Sequence, residues 1–265
     1  MLLMVLGFMV GIVLALTGAG GGVLAVPLLV FFMHLNMAQA GPIGLLGVSL
    51  AASLGALMGL RARIVRYKAA LVVACAGIFM SPVGLWVAAQ VPNRPLSFLF
   101  SLVLFWVAVR SYRQSRGNEN TNEVLSRTDL ACQLNPVTGR FIWTPLAAQT
   151  FVLMGMLAGF LSGLLGVGGG FVLVPVLRRF TPLPMKSIIA TSLSVIALVS
   201  LSTVLLSSLR GNVNWAIGVP FSVGTLGGMF LGRWLSRFLA AQQLSKGFAA
   251  ITTVVALGLL AKSIF

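Results

Sequence analysis

The sequence is nearly devoid of acidic residues. Only three of the 265 residues are Asp or Glu, and all three, Glu119, Glu123 and Asp129, lie in one polar stretch. The apolar segments on either side therefore contain no carboxylate, which excludes a carboxylate proton relay within them. The two cysteines, Cys75 and Cys132, give neither a metal-binding spacing nor a disulfide framework. We predict no metal and no other cofactor.

Charged residues of either sign are scarce, at 8% of the chain against roughly 25% in a soluble domain. Residues 1–60 contain none, and further charge-free runs cover 69–93, 95–109, 141–177, 187–209, 211–232 and 247–261. Because one bilayer crossing takes roughly 20 apolar residues, these runs predict an all-α integral membrane protein. The 18 Lys and Arg residues sit at the ends of apolar segments, where they set topology, which disfavours nucleic acid as a partner.

The chain repeats itself on either side of the polar stretch. Residues 11–37 align without gaps on 159–185, an offset of 148, with 12 of 27 positions identical. The identities include a glycine cluster and a following proline: Gly18/Gly166, Gly20/Gly168, Gly21/Gly169, Gly22/Gly170 and Pro27/Pro175. Farther on, Val48-Ser49-Leu50 matches Thr191-Ser192-Leu193 after a five-residue deletion. We divide the chain into membrane repeat 1–112, cytoplasmic linker 113–143 and membrane repeat 144–265.

Each half opens with a glycine-interrupted segment, 1–34 or 145–180. Three predicted helices follow in each half, at 41–60, 70–90 and 94–112, then at 185–209, 213–234 and 244–264. If each opening segment crosses the membrane once, the basic residues split 11 to 7 between its two sides. If each is a helical hairpin, the halves are inverted and the split is 15 to 3, with only Arg94, Arg210 and Lys262 outside. The positive-inside rule favours hairpins, so we predict two inverted repeats, each a glycine-broken hairpin plus three transmembrane helices, with both termini periplasmic.

The glycine clusters at the hairpin tips are the first candidates for a binding site. A hairpin arm of about 15 residues is roughly 22 Å long, short of a bilayer core of roughly 30 Å, so the tips are expected to stop inside the membrane. Glycine permits positive φ and close backbone approach, and N–H groups beside a helix N-terminus bind anions without a charged side chain. The predicted ligands are Gly18, Gly20, Gly21, Gly22, Gly166, Gly168, Gly169 and Gly170.

The alternative role for these glycines is close helix packing. Small-xxx-small spacing, which is typical of packed membrane helices, recurs at Gly7/Gly11, Gly55/Gly59, Gly155/Gly159/Gly163 and Gly224/Gly228/Gly232. Three consecutive glycines, repeated in both halves and each followed by proline five residues on, are harder to explain by packing alone. The binding-site interpretation is therefore favoured for the two tips.

Hydroxyl residues in the helix after each hairpin are the second candidates. Ser49 in the first half, and Thr191 and Ser192 in the second, are predicted to donate to a bound oxyanion. The alternative is that their hydroxyls bond neighbouring backbone, as Ser and Thr in membrane helices often do. The single histidine, His34, is predicted to lie in an interfacial loop, and the basic cluster 61–68 to be a cytoplasmic anchor.

Four features of the sequence form a recognisable set. They are the glycine–proline segments 18–27 and 166–175, the run Ala190-Thr191-Ser192-Leu193, the loop 210–215 and the glycine-rich helix 224–232. Together they resemble the TauE/SafE sulfite exporter family of bacterial membrane proteins. The resemblance implies movement of sulfite, organosulfonates or other sulfur-containing anions across the cytoplasmic membrane. The first half departs from the pattern, with Gly47-Val48-Ser49-Leu50 at the matching run, so the halves need not contribute equally.

These observations predict a transporter of a small anion, a sulfur oxyanion or sulfonate, that works by alternating access in the bacterial cytoplasmic (inner) membrane. An anion channel and a non-transporting membrane assembly protein are the alternatives. An enzyme is not expected, because the apolar segments offer so few catalytic groups. The expected partners are the anion and the lipid bilayer, and a homo-oligomer is left open.

Overall fold

The computed structural model describes residues 1–18, 20–116, 145–181, 183–211 and 213–235, and the regular secondary structure in these ranges is helical. The first repeat contributes α1 (Leu2–Thr17), α2 (Gly20–Phe32), α3 (Met37–Arg61), α4 (Tyr67–Gln90) and α5 (Asn93–Arg116). The second contributes α6 (Pro145–Leu165), α7 (Gly170–Phe180), α8 (Met185–Leu209) and α9 (Trp215–Leu235). The predicted final helix, 244–264, and the predicted linker beyond Arg116 lie outside the described residues.

Five of these helices, α3, α4, α6, α8 and α9, are long and apolar enough to cross a bilayer. Their outer faces carry large apolar and aromatic side chains, such as Phe79, Trp86 and Phe230, that are exposed on the isolated chain. Such surfaces are stable in lipid rather than in water. The prediction of a multi-pass helical membrane protein is therefore confirmed.

Both opening segments break at their glycines and reverse direction. In the first, Gly18 takes a left-handed backbone (φ 72°) and its N–H bonds the Leu14 carbonyl at 2.9 Å, which ends α1. Gly21 then packs against Val10 and Leu14 of α1, so α2 runs back along α1. The second segment repeats this geometry, because Gly169 packs against Ala158, again eleven residues earlier.

The two hairpins differ in the lengths of their arms. Helices α1 and α2 have 16 and 13 residues, or about 24 and 20 Å at 1.5 Å per residue, close to the expected arm length. Helix α6 has 21 residues and α7 only 11, or about 32 and 16 Å. Helix α7 is short at its start because Gly168 and Gly169 are left-handed (φ 79° and 69°), which delays the helix until Gly170.

The two halves match without any gap over the described helices. Helices α3 and α8 both have 25 residues, and they begin at Met37 and Met185, an offset of 148. The same offset relates the starts of α4 and α9, at Tyr67 and Trp215. The five-residue deletion expected from the sequence is therefore wrong, and Ser192 corresponds to Gly44 rather than to Ser49. Short runs of small and apolar residues recur by chance in membrane helices, and one such run produced the false match.

Helices are exchanged between the halves in reciprocal pairs. Helix α1 packs in parallel on α9, where Gly7 and Gly11 contact the carbonyls of Phe221 and Thr225. Helix α6 packs in the same way on α4, where Gly155 and Gly159 contact the carbonyls of Val73 and Gly77. The second set of contacts is the first set shifted by 148 residues and exchanged between halves. Without β-carbons the backbones touch directly, so these glycines do serve close packing.

Helices α3 and α8 cross the centre of the molecule in opposite directions. Gly59 and Gly55, near the end of α3, contact Ala190 and Leu193, near the start of α8. Beyond α3, the chain is tied to the start of α8 by two hydrogen bonds. The Ser187 hydroxyl donates to the Ile64 carbonyl at 2.6 Å, and the Arg66 N–H donates to Thr191 Oγ1 at 3.2 Å.

Candidate functional site

The two hairpin tips meet each other in the protein interior. Gly22, in the first tip, lies so close to the Val167 carbonyl of the second that a β-carbon there would overlap it. Val48 of α3 lies beside the contact, since its Cγ1 is 3.7 Å from a β-carbon position at Gly22 and 3.6 Å from one at Gly168. The glycine clusters predicted from the sequence are thus brought together by the fold, with buried residues around them.

Among the described residues, the second tip has more residues with positive φ than the first. Gly166, Gly168 and Gly169 all have positive φ, between 69° and 79°, which L side chains rarely adopt. Gly169 is the N-cap of α7, so the first N–H groups of that helix, starting at Gly170, have no acceptor within the helix. In the first tip Gly18 is left-handed, whereas Gly20 and Gly21 already belong to α2. The second tip therefore has more non-helical backbone that a ligand can contact.

The three predicted hydroxyl residues occupy different surroundings. Ser192 lies at the first tip, with its Oγ 3.1 Å from the Gly18 carbonyl and 2.9 Å from the Ile189 carbonyl. The Thr191 hydroxyl instead accepts the Arg66 N–H, outside the tips. The Ser49 hydroxyl donates to the Leu46 carbonyl of its own helix at 2.9 Å. Only Ser192 is hydrogen-bonded to a tip, and it is engaged with protein carbonyls.

A hydroxyl that the sequence analysis missed lies against the second tip. Ser200 of α8 is fully buried, and its Oγ lies 2.8 Å from a β-carbon position at Gly168. This Oγ has no hydrogen-bond partner among the described residues. A buried hydroxyl without a partner costs about 1–3 kcal/mol, so such a group is a candidate ligand. Its signal in the sequence is weak, because α8 has nine Ser and Thr residues.

Ser162 of α6 is a second buried hydroxyl without a partner in the described part of the chain. It lies one turn before the second tip, and its carbonyl accepts the Gly166 N–H at 2.9 Å. Backbone N–H groups and the Ser200 hydroxyl thus lie at one tip, and the Ser162 hydroxyl lies on the last turn of the helix that leads into it. Such a set of donors suits an anion that accepts several hydrogen bonds.

Two features with predicted peripheral roles lie in loops. His34 is exposed in the loop between α2 and α3, with a left-handed backbone (φ 53°). The basic segment that begins at Arg61 forms the connection between α3 and α4. Neither lies at the meeting of the tips.

The fold is that of a multi-pass helical membrane protein in whose interior two glycine-rich hairpin tips meet. A family model described as sulfite exporter TauE/SafE matches residues 3–259. A "Probable membrane transporter protein" of Xylella fastidiosa (strain Temecula1) is 28% identical over 95% of this chain and 91% of its own length. The "Probable membrane transporter protein YunE" of Bacillus subtilis (strain 168) is 24% identical over 100% and 98%. No solved structure matches the chain.

The chain belongs to the sulfite exporter TauE/SafE family, because the family match extends over nearly its whole length. A further relative, a "Probable membrane transporter protein" of Methanocaldococcus jannaschii, is 28% identical over 84% of this chain and 76% of its own length. The family and these relatives place the chain among membrane transporters, as the sequence predicts.

Proposed function

We propose that this protein transports a small sulfur-containing anion, such as sulfite or a sulfonate, and binds it where the two glycine tips meet. The observation that carries the proposal is the buried, unpartnered Ser200 hydroxyl against Gly168, beside left-handed backbone at a helix N-terminus. These groups are neutral hydrogen-bond donors, which bind an anion without a charged side chain. The family description names sulfite, and a sulfur oxyanion presents several acceptor oxygens to such donors.

The proposed mechanism is alternating access by two inverted repeats. It is supported by the antiparallel crossing of α3 and α8, which are equivalent helices, and by the reciprocal pairs α1–α9 and α4–α6. In this arrangement the loop 61–66 is cytoplasmic, and both termini and Arg210 lie on the periplasmic side of the inner membrane. The lipid bilayer is the surrounding partner, and the proposal requires no homo-oligomer and no nucleic acid.

Anion export of this kind should respond to the membrane potential. No carboxylate is available in the apolar segments to carry a compensating proton. A dianion leaving a negative interior gains roughly 4.6 kcal/mol at 100 mV, at roughly 2.3 kcal/mol per charge. We expect sulfite efflux from proteoliposomes to accelerate when a potassium diffusion potential makes the lumen negative.

Empty liposomes at the same potential are the control for leak. A flux that is indifferent to the imposed potential would contradict electrogenic export. Saturable flux with counterflow would support a carrier, whereas flux that neither saturates nor shows counterflow would favour an anion channel. Absence of flux for every sulfur oxyanion and sulfonate would favour a non-transporting assembly protein.

Replacing Ser200 by Ala should have opposite effects on stability and on binding. The free protein should gain about 1 kcal/mol, because an unsatisfied buried hydroxyl is removed. Sulfite affinity should fall at least tenfold, because a hydrogen bond to a charged group contributes about 1.5–3 kcal/mol. Melting temperatures of the detergent-solubilised protein, measured over a sulfite titration, report both quantities.

Ser202→Ala is the matched control for this variant. The Ser202 hydroxyl is on the same helix but donates to the Val199 carbonyl at 2.7 Å, so its loss should leave sulfite affinity unchanged. If Ser200→Ala binds sulfite as tightly as the wild type, the second tip is not the anion site.

A further inference from the structure

A small cavity lies beside the second tip, separate from the contact between the tips. Its volume is about 60 Å³. Its walls come from the start of α3, the end of α4, the end of α6 and the end of α8. Gly166 of the second tip and Gly41 of α3 touch each other in one wall, and Ser207 and Arg210 line the cavity from α8.

Ser207 is an unpartnered hydroxyl in this wall. It is only 1% exposed, and its Oγ has no hydrogen-bond partner among the described residues. Ser200 and Ser207 are seven residues apart and therefore share one face of α8. The two buried hydroxyls thus mark a line along α8 from the second tip towards the cavity.

Arg210 is the one charged residue among those that line the cavity. It is exposed and follows the last turn of α8, three residues after Ser207, so both residues lie on the same side of the helix end. The guanidinium is planar, always protonated and carries five N–H donors, and it binds oxyanions through pairs of hydrogen bonds. The cavity therefore has a cation at its edge and a buried neutral hydroxyl residue in its wall.

Among the described residues, the counterparts of Gly41 and Ser207 at the first tip have different surroundings. At the offset of 148, Gly41 corresponds to Ile189, whose side chain packs against Gly18 and fills the space. Ser207 corresponds to Gly59, where a β-carbon would lie 2.9 Å from Ala190 Cβ. The polar groups at the second tip are therefore not a by-product of the duplication, because the first half has packed apolar groups in their place.

We propose that this cavity is a second anion subsite, which binds an inorganic oxyanion between the Arg210 guanidinium and the Ser207 hydroxyl. The subsite rests on the proposed function, because it lies on the route between the tips and the membrane face that carries Arg210. The volume of about 60 Å³ is several times the roughly 10–15 Å³ that a cavity needs to hold one water molecule. That volume suits an oxyanion of four or five non-hydrogen atoms, such as sulfite or sulfate, better than a bulkier sulfonate.

The test is the number of sulfite ions bound per chain at equilibrium, measured with radiolabelled sulfite on the purified full-length protein. We expect two for the wild type and one for Arg210→Gln, which changes an exposed side chain. Ser207→Ala, the second variant, should also lower the occupancy of the proposed subsite. Arg61→Gln removes the same charge at the end of α3 and should retain two. In proteoliposomes, Arg210→Gln should raise the KM for sulfite and leave kcat unchanged.

The outcomes separate the subsite from the transport proposal. One bound sulfite in the wild type and in Arg210→Gln would overturn the subsite while leaving the tip site in place. Two bound ions in both proteins would also overturn it. Absence of bound sulfite in the wild type would overturn both proposals. A loss of one ion in Arg210→Gln and Ser207→Ala but not in Arg61→Gln supports the subsite.

Discussion

Replacing Gly22 by Ala should reduce anion transport at least a hundredfold without unfolding the protein. Gly22 is helical and has no positive φ to strain, so alanine there should favour the helix by about 1 kcal/mol. Its β-carbon, however, would overlap the Val167 carbonyl of the other tip. Overpacking of this kind costs about 1–3 kcal/mol, and the tips must separate to relieve it. Proteoliposome flux and the melting temperature are the two measurements.

Gly227→Ala is the matched control, since Gly227 is also helical but its nearest neighbour is the Phe8 ring, at 3.7 Å from a β-carbon position. That distance is ordinary van der Waals contact, so this variant should transport normally and melt slightly higher. Wild-type flux in Gly22→Ala would show that the contact between the tips is not required for transport.

Replacing Gly159 by Val should have the largest effect on folding. Gly159 contacts the backbone of Gly77 across the α4–α6 pair, with a β-carbon position 2.5 Å from Gly77 Cα. Because the contacting atoms all belong to the Gly77 backbone, a rotamer change cannot make room for a side chain at Gly159. The cost should exceed the roughly 1–3 kcal/mol of ordinary overpacking, and size-exclusion chromatography should show loss of the folded species.

The same prediction applies to the equivalent contact in the α1–α9 pair. Gly11 occupies the equivalent place in the α1–α9 pair, against the Thr225 carbonyl, and a β-carbon position there lies 2.8 Å from the Met229 nitrogen. Gly11→Val should therefore be about as damaging as Gly159→Val. A well-folded Gly11→Val beside an unfolded Gly159→Val would mean that the reciprocal pairs are not energetically equivalent. Gly227→Val serves as the control for the larger side chain.

The sequence predicts the features that depend on local chemistry. Runs without charge predict the spans, and consecutive glycines predict where the opening helices break, because few other residues accept a left-handed backbone such as that of Gly168 and Gly169. Small-xxx-small spacing predicts close packing, although it does not say that Gly7 would meet Phe221 of the other half.

Features that depend on the partner across an interface could not be predicted. In the sequence, nothing distinguishes Ser200 from the other hydroxyl residues of α8. Only the structure shows that it lies against Gly168. The difference between Gly41 and Ile189 is visible in the sequence, but its meaning requires knowing that each packs on a hairpin tip. The gap-free register of α3 and α8 was hidden because short apolar runs carry too little information to align two membrane helices.

The pairs α1–α9 and α4–α6 interlock the two halves. Helix α1 enters the membrane early in synthesis, yet the surface that covers its glycine face belongs to α9, which is made much later. The first half is therefore inserted with the glycine face of α1 uncovered, and this face is covered only after α9 has been inserted. A single-half ancestor of such a fold would have had no internal partner for that face, and under the inverted arrangement proposed above a second, oppositely oriented copy of the same chain would have covered it.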